Sequence, residues 1–557
     1  MSHITKLSIK NYRGIKELTC EFGQEKFIVL IGRGDSGKST ILSAIYAALA
    51  PTWNMVFSDL DFYNQDTSSP IQIELTLKEL PTELLKESKF GLYIQNDLNE
   101  EYNPEDLSII LKLYIDDSLE PHWVVKPRLG SDIDDKPISA TDRSMLAVNY
   151  ITDYTDNQFA YNKQSPLYAL TKYKLADGKT IERVKSELIR SMTSLVSPVQ
   201  LAPLNEPLSE LMITAEKFGL GVADLCALID IKENPYTGNS IALHSDSLPY
   251  RLKGKGSKRL MSIAIQSELT KQGGIVLVDE LEQGLEPDRI TTLVRILKET
   301  SCGQVFITTH SINVVLDAVS RNIHIVNKNA NSLCVPDSSL DCYRRSNPQA
   351  FFAKKIICCE GRTEVGFMRA LDTYIQAKFG TSLSAKGVVL VDAGGGNKMY
   401  KYAQAFRDLG IDTCVFADND KYKELTKIVN ATRSKGINVY LCEEGNYLEK
   451  QILRDLPWTD VIKIVMCPQD EFPSKNIVLP DGYIERLAET NDENDRELLR
   501  LEIAQLSIQE DKEWFKHIPG GEFLGSVYCE AYESLESDIC LKKNIQDLLN
   551  WCDISLC

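Results

Sequence analysis

Residues 27–40 read FIVLIGRGDSGKST. Five apolar residues run unbroken to a glycine, the pattern of a strand covered on both faces. Gly32 to Ser39 then fit G-x-x-x-x-G-K-[ST], and an apolar helical stretch closes at Pro51. Strand, glycine-rich turn and helix in this order make a phosphate cradle. Glycines let backbone N–H groups wrap phosphate oxygens, and the helix N-terminus adds positive potential. Lys38 would reach the β- and γ-phosphates, and Ser39 would hold Mg2+. The candidate nucleotide-binding residues here are Gly32, Gly34, Asp35, Gly37, Lys38, Ser39 and Thr40.

Outward from this segment, residues 4–18 read as a strand pair turned at Arg13-Gly14, and IQIELTL (71–77) alternates like a half-buried strand. A second apolar strand, IVLVDE (275–280), ends in Asp279 and Glu280. Asp279 would bind Mg2+ through its water shell, and Glu280 would orient or deprotonate the attacking water. Gly284-Leu285-Glu286-Pro287 follows, and His310 stands directly after a third strand, QVFITT. A lone histidine is more often structural. An acid pair, a downstream loop and a strand-end histidine in this order form a constellation. The stretch Arg251 to Arg259, RLKGKGSKR, lies about twenty residues before Asp279 and opens a helix.

Residues 81–239 are expected to form an insertion with a helical second half, because structureless gaps of that length do not occur in compact domains. Within it GLYIQ, SIILKLYI and HWVVKP read as strands, and IERVKSELIRSMTSL reads as a helix. A polar stretch over 326–350 reads as a linker. A new strand–helix series follows: KKIICCE, VGFMRALDTYIQAKFG, GVVLVD, MYKYAQAFRDLG and TCVFAD. That alternation argues for a mostly parallel sheet. Glu360 ends its first strand, Glu364 falls in the next helical turn, and Asp418-Asn419-Asp420 ends the third strand. Parallel strands bring these ends to one edge, where ligand sites form. Carboxylates gathered there would repel one another without cations. Hard oxygen ligands suit Mg2+ or Mn2+, which can activate water against a phosphodiester. From about 470 the chain reads as acidic and helical.

There are 62 basic and 79 acidic residues, a net charge of −17. This excludes coating nucleic acid through bulk charge. It leaves room for a local basic groove, for which Lys354, Lys355, Arg362, Lys398 and Lys401 are candidates. No apolar run approaches the ~20 residues of a membrane span, and MSHITKLSIKNYRG lacks a signal-peptide core. The protein is expected to be soluble and cytoplasmic, with no membrane partner. The 14 cysteines include no C-x-x-C pair. Cys358, Cys359 and Cys414 sit in strand-like runs and read as buried thiols rather than zinc ligands.

The motif order in the first part resembles the ABC-type ATPases, in particular their SMC/RecF-like branch. That branch also opens with a strand and an N-Y/F-R-G element, here Asn11 to Gly14. Gly254, Gly256 and Ser257 take the signature-motif position, although Lys253, Lys255 and Lys258 depart from the usual L-S-G-G-Q. Gln65 and Gln72 both stand where a Q-loop glutamine is sought, and neither is preferred. The second acidic series resembles the Toprim domain of primases, type II topoisomerases and certain nucleases. Glu360 matches its glutamate, and Asp418 and Asp420 match its D-x-D. The two parts together resemble the OLD (overcoming lysogenisation defect) family of nucleases. By that resemblance Glu449 is a further metal ligand. Lys516, in Trp514-Phe515-Lys516, supplies a lysine that would stabilise charge on the scissile phosphate.

The resemblance implies an α/β fold with an ABC-type P-loop ATPase domain in two segments, 1–80 and 240–345. The partly helical insertion 81–239 would serve dimerisation. A Toprim domain at 350–470 and a mostly helical C-terminal region at 471–557 follow. Catalytic roles fall to Glu280, His310, Glu360, Asp418, Asp420 and Lys516. Asp279, Gly254, Gly256 and Ser257 join the cradle in binding nucleotide. Ser39, Asp279, Glu360, Glu364, Asp418, Asp420 and Glu449 are the metal ligands. The cofactors are ATP and Mg2+ or Mn2+ at both sites, and the substrate is DNA. One copy of each motif implies a homodimer or higher homo-oligomer, because the signature motif of one copy completes the phosphate site of another. The implied activity is ATP-dependent or ATP-regulated DNA cleavage or nicking in anti-phage defence. The implied partner is encoded nearby, a helicase or a reverse transcriptase with its noncoding RNA. Two other readings stay open: a topoisomerase- or primase-like Toprim enzyme, and an SMC/RecF-like DNA-clamping repair ATPase with an inactive Toprim.

Overall fold

The computed structural model describes residues 2–95, 107–128, 132–152, 156–161, 165–174, 204–220, 224–229, 241–245, 248–270, 273–300, 303–327, 331–466, 482–508 and 514–555. The chain divides into two compact units, Met1–Asp341 and Cys342–Cys557.

The first unit is built on two sheets. His3–Tyr12 and Ile15–Glu21 pair antiparallel about a turn in which Arg13 takes a φ of 48°. Ile71–Lys78 pairs on the other side of His3–Tyr12 and buries every second residue. The sheet continues through Ser108–Ile115, Pro121–Lys126 and Lys136–Pro137. The second sheet is parallel, in the order Ile323–Ile325, Phe27–Ile31, Gln304–Thr308, Ile275–Val278, Val148–Ile151. Its middle strands are wholly buried, which is why they read as unbroken apolar runs. Helix Lys38–Leu49 touches strands of both sheets, and its Ile41, Leu42, Ile45 and Ala48 join their side chains in one core.

This pairing corrects the expected insertion 81–239. Ser108–Ile115 and Pro121–Lys126 extend the first sheet, and Val148–Ile151 forms an edge of the second. Ile109, Leu111, Leu113 and Ile115 face the same core as Ile73 and Leu75, so the apolar face of this segment belongs to the main body. GLYIQ is not a strand: Gly91–Tyr93 is a short 3-10 turn, and Gln95 makes a single bridge to Ser108. Further along come helices Pro166–Lys174 and Asn205–Lys217 and a small sheet of Leu225–Ile229, Ile241–Ser245 and Leu248–Pro249. The helix expected over IERVKSELIRSMTSL lies outside the described residues.

The second unit holds a four-stranded parallel sheet in the order Val388–Asp392, Lys355–Cys359, Asp412–Ala417, Asn438–Leu441. The helices Arg362–Phe379, Lys398–Asp408 and Tyr422–Ser434 connect the strands in turn. The first strand therefore lies between the second and third. The crossovers leave it in opposite directions, and a crevice opens at the carboxyl ends of the first and third strands. Cys358, Cys359 and Cys414 are buried free thiols in these strands. No described helix is long and apolar enough to cross a membrane.

The helices Tyr483–Glu489, Glu493–Ser507, Ile518–Ala531 and Cys540–Trp551 complete this unit. They share its core rather than stand apart: Leu499, Leu524, Tyr528 and Leu548 pack in one cluster with Ile357, Phe367 and Phe416. Ile518–Ala531 lies almost backbone to backbone on Arg362–Phe379. A Cβ on Gly366 would stand 2.1 Å from the Ile518 carbonyl oxygen, and one on Gly521 would stand 2.1 Å from that of Thr363. Gly366→Ala is expected to destabilise this unit by roughly 1–3 kcal/mol, the range for overpacking a tight contact. Chemical denaturation would show a lower midpoint, and an unchanged midpoint would contradict the close approach.

Candidate functional site

At the end of Phe27–Ile31 the chain turns through Gly32 to Gly37 into helix Lys38–Leu49. Gly32 has a φ of 151°, and a Cβ there would meet the Val326 carbonyl oxygen at 2.5 Å, so no side chain fits. Gly34 has open space around it, and packing does not require its glycine. Asp35 sits in the left-handed region at 58°. Lys38 is buried and curls over the loop, donating to the carbonyls of Gly32 at 3.0 Å and Arg33 at 2.8 Å. Burial lowers its pKa, against the pull of Asp279, Glu282 and Glu280. Ser39 Oγ donates to Asp279 Oδ1 at 3.0 Å, and Thr308 Oγ1 donates to the same oxygen at 2.6 Å. Tyr150 stands beside Asp279, whose charge adds to burial in raising the phenol's pKa.

Glu280 follows Asp279 with a φ of 47°, and its N–H donates to Thr308 Oγ1 at 2.7 Å. His310 lies near enough for burial and the Lys38 ammonium to lower its pKa, while Glu282, Glu280 and Asp279 oppose them. The His310 N–H donates to Glu282 Oε1 at 2.5 Å, and Thr309 Oγ1 donates to Glu282 Oε2 at 2.7 Å. Lys38, Ser39, Asp279, Glu280 and His310 thus gather at one edge of the parallel sheet. Tyr150, Glu282 and Thr308 join them without a motif to announce them. The hydroxyl pair Thr308-Thr309, closing an otherwise apolar strand, is the one readable sign.

The signature residues are placed by a different contact. Gly256, in the first turn of Lys255–Thr270, lies so close to Gly284 that a Cβ would stand 2.4 Å from its carbonyl oxygen. Gly254 has open space, and Ser257 is half-buried in the same turn. The N-Y-R-G element packs on the cradle helix: Arg13 bonds Asp61 at 2.8 Å and Ser43 at 3.0 Å. Gln65 has a φ of 60°, and Gln72 is a strand residue opposite Lys10 and Tyr114.

The second unit gathers its acids at the crevice between the first and third strands. Glu360 follows Cys359, and the backbone amides of Gly396 and Asp418 lie near enough to its carboxylate to favour the charged form. Burial, and then Asp420, raise its pKa. Glu364 closes the helix start by accepting from the Gly361 N–H at 2.8 Å. Burial, with Glu449 and Glu360 nearby, pushes its carboxyl up to about 8. Asp418 accepts from the Leu448 N–H at 2.7 Å, and burial beside Glu364, Glu449 and Glu360 raises it well above the usual carboxylate range. Glu449, in the first turn of Leu448–Asp455, is also raised by burial, and Lys516 opposes this. Trp514 and Phe515 are buried and anchor Lys516, which stays exposed. Thr363 Oγ1 ties the pieces together, donating to the Phe515 carbonyl at 3.0 Å and facing Glu449 at 3.5 Å.

Three family models match the chain. One described as an AAA ATPase domain matches residues 3–189. A second AAA-domain model, described with the AbiEii toxin of type IV toxin–antitoxin systems, matches residues 175–317. The third, the TOPRIM domain of overcoming lysogenization defect protein-like proteins, matches residues 351–420. The chain joins an ATPase-type domain to a Toprim domain. The Toprim match spans Glu360, Glu364, Asp418 and Asp420, while Glu449 and Lys516 lie beyond it. No curated protein matches the sequence. Among solved structures, an Smc head with an extended coiled coil from Pyrococcus furiosus is 14% identical with a TM-score of 0.38, covering 60% of this chain and 96% of that one. The SMC head domain from Thermotoga maritima is 14% identical at 0.30, covering 60% and 99%. The recombination mediator protein RecF is 11% identical at 0.35, covering 60% and 98%. These likenesses are loose, and the assignment rests on the family models.

The donor chemistry of the Toprim unit suits a hard divalent cation. Burial and mutual repulsion outweigh the nearby Lys421 and Lys516 and raise the proton affinity of these carboxyls, which a bound cation would relieve. The carboxylates nonetheless stand apart: among the described residues no three His, Cys, Asp or Glu side chains form a ready ligand set. The two observations are compatible. Coulomb coupling reaches several ångströms, whereas ligation needs oxygens at about 2.1 Å from one ion. Glu364 and Asp418 each hold an oxygen on an internal N–H instead.

The expected basic groove needs correction. Lys354 and Lys355 stand at the amino end of their strand, opposite the acids. Lys355 is buried and bonded to the Trp551 carbonyl and, at 2.7 Å, to Asp553. Arg362, at the helix start, and Lys421, which acts on Glu360, do lie on the acid edge.

The helix that carries Glu449 ends in Asp455, a half-buried acid whose inner oxygen lacks a hydrogen bond. Burial raises its pKa to about 7. Its neutral form favours the folded state. Its contribution is therefore full below about pH 4, where the unfolded carboxyl titrates, and is lost as pH rises through 7. Asp455→Asn should flatten this fall in the Toprim unit's melting temperature between pH 4 and 7, and a parallel pH profile would refute the assignment.

Proposed function

We propose that this chain is an ATP-regulated, divalent-metal-dependent DNA endonuclease or nickase of the OLD type. The reading is carried by the acid cluster at the Toprim crevice, on a chain whose other unit holds a complete phosphate cradle. Lys38 would bind the β- and γ-phosphates of ATP, Ser39 and Asp279 would hold its Mg2+, and Glu280 would orient the attacking water, with His310 beside the γ-phosphate. In the Toprim unit Glu360, Asp418, Asp420 and Glu449, with Glu364 behind them, would hold a divalent cation. That ion, when bound, activates water and stabilises charge on the scissile phosphate. Lys516 would neutralise a phosphate oxygen, and Arg362, Lys398 and Lys421 would position the DNA backbone. Local charge of this kind serves an acidic chain, because phosphate affinity follows local geometry.

One copy of each ATPase motif supports a homodimer, with Gly254, Gly256 and Ser257 of each copy facing the other copy's cradle. Such an enzyme fits anti-phage defence alongside a partner encoded nearby. Plasmid cleavage with Mg2+ or Mn2+, with and without ATP, tests the reading. Asp418→Ala and Glu360→Ala should abolish cleavage and leave ATP hydrolysis within about twofold. Lys38→Ala should abolish hydrolysis and change the ATP response of cleavage. Cleavage that survives both acid substitutions would end the nuclease reading and leave a nucleotide-driven clamp.

A further inference from the structure

We infer that Arg259 is a positioning residue for ATP hydrolysis, holding Glu280 in place and tying it to the signature helix of its own chain. Arg259 closes the Arg251–Arg259 stretch but is not among the signature residues Gly254, Gly256 and Ser257, and the inference rests on the ATPase reading above. Arg259 lies on helix Lys255–Thr270, two residues after Ser257, and is only 2% exposed. Its guanidinium spans three backbone carbonyls: NH1 donates to Thr152 at 3.1 Å, and NH2 donates to Glu280 at 3.1 Å and also to Asp279. These carbonyls lie just past the ends of neighbouring strands, Val148–Ile151 and Ile275–Val278, where the chain leaves the sheet.

Glu280 is where this clamp matters. Its φ of 47° lies in the left-handed region, which side chains other than glycine and asparagine rarely occupy. Such a conformation persists only when its surroundings over-determine it. Arg259 holds the Glu280 C=O on one side, and Thr308 Oγ1 accepts the Glu280 N–H at 2.7 Å on the other. Thr308 also bonds Asp279 Oδ1 at 2.6 Å, so the metal-binding and water-orienting acids share one set of fixed points. Release of either hand lets the backbone relax and swings the Glu280 carboxylate off its line.

The clamp also has a mechanical consequence. Gly256 touches Gly284 in the loop after Glu280, so the signature helix meets this segment at two places, through Arg259 and through Gly256. A shift of that helix when Gly254 to Ser257 engage nucleotide on a second copy would reach Glu280 of the same chain directly. A lysine keeps the charge but offers a single nitrogen in place of the planar fork, whose two nitrogens now serve Thr152 on one side and Asp279 and Glu280 on the other.

The test is steady-state ATP hydrolysis together with direct binding of a fluorescent ATP analogue by the full chain. Wild type and the single variants Arg259→Lys and Glu280→Gln are compared with the double variant. Arg259→Lys should lower kcat by about a hundredfold, the scale of an ångström-sized misplacement. Analogue affinity should stay within about twofold. In the Glu280→Gln background the same change should cost almost nothing further, because both act through one carboxylate. Multiplicative losses, or an affinity loss as large as the rate loss, would overturn the inference. If Arg259→Lys binds no analogue through misfolding, Thr308→Val releases the other hand and must show the same non-additivity with Glu280→Gln. A wild type that binds the analogue without hydrolysing it would sink the ATPase reading itself, a result distinct from an active wild type whose Arg259→Lys variant is unimpaired.

Discussion

Carboxyl groups taken out of water near one another must hold protons or find a cation. That constraint organises the Toprim unit. Glu364 and Glu449 are buried, and half-buried Asp418 and Glu360 stand within electrostatic reach of them. Desolvation alone would hold them neutral. A protein that only needed to fold would place apolar residues there, since burying acids adds nothing to stability. Their presence is therefore a statement about function. The surrounding structure serves it: the strand order opens a crevice at the switch point, the Gly361 N–H and Leu448 N–H orient individual oxygens, and the glycine-faced helix pair brings Lys516 to the rim.

The ATPase unit answers a different constraint with the same economy of means. Triphosphate binding needs oriented N–H groups and a cation, and Lys38 rests on the carbonyls of its own loop, where phosphate oxygens would replace them under the proposed function. Its lowered pKa reflects a position dry enough for its charge to act strongly on phosphate, with Asp279, Glu282 and Glu280 keeping it protonated. Asp279 receives two hydroxyls, from Ser39 and Thr308, that draw the cradle helix and the central strand onto one carboxylate.

Much of this is legible in the sequence for a physical reason. Strands buried on both faces read as apolar runs, so Phe27–Ile31, Ile275–Val278 and the stretch 356–359 stand out, and the candidate site residues sit where each run stops. The antiparallel strands of 108–126 alternate clearly, yet alternation does not say which sheet a strand joins. That choice is made by long-range pairing, so the sequence suggests an insertion where the main sheet in fact continues. Lys355 misleads for a related reason. A lysine beside a strand reads as exposed, and only the fold reveals Asp553 and the Trp551 carbonyl waiting at the sheet's far edge.

The contacts that leave no trace in the sequence share a property: they act on backbone rather than on ligand. Arg259 bonds carbonyls, Thr308 accepts an N–H, and Gly256 and Gly366 allow main chains to touch. Backbone groups look the same at every position, so no residue type at the receiving end marks the contact. Motifs record side chains that meet phosphate or metal, where chemistry restricts the choice to a few residue types at fixed spacing. The geometry of the reacting groups depends equally on contacts with no such restriction. A strained residue such as Glu280 cannot hold itself in place, and what holds it must be found in three dimensions.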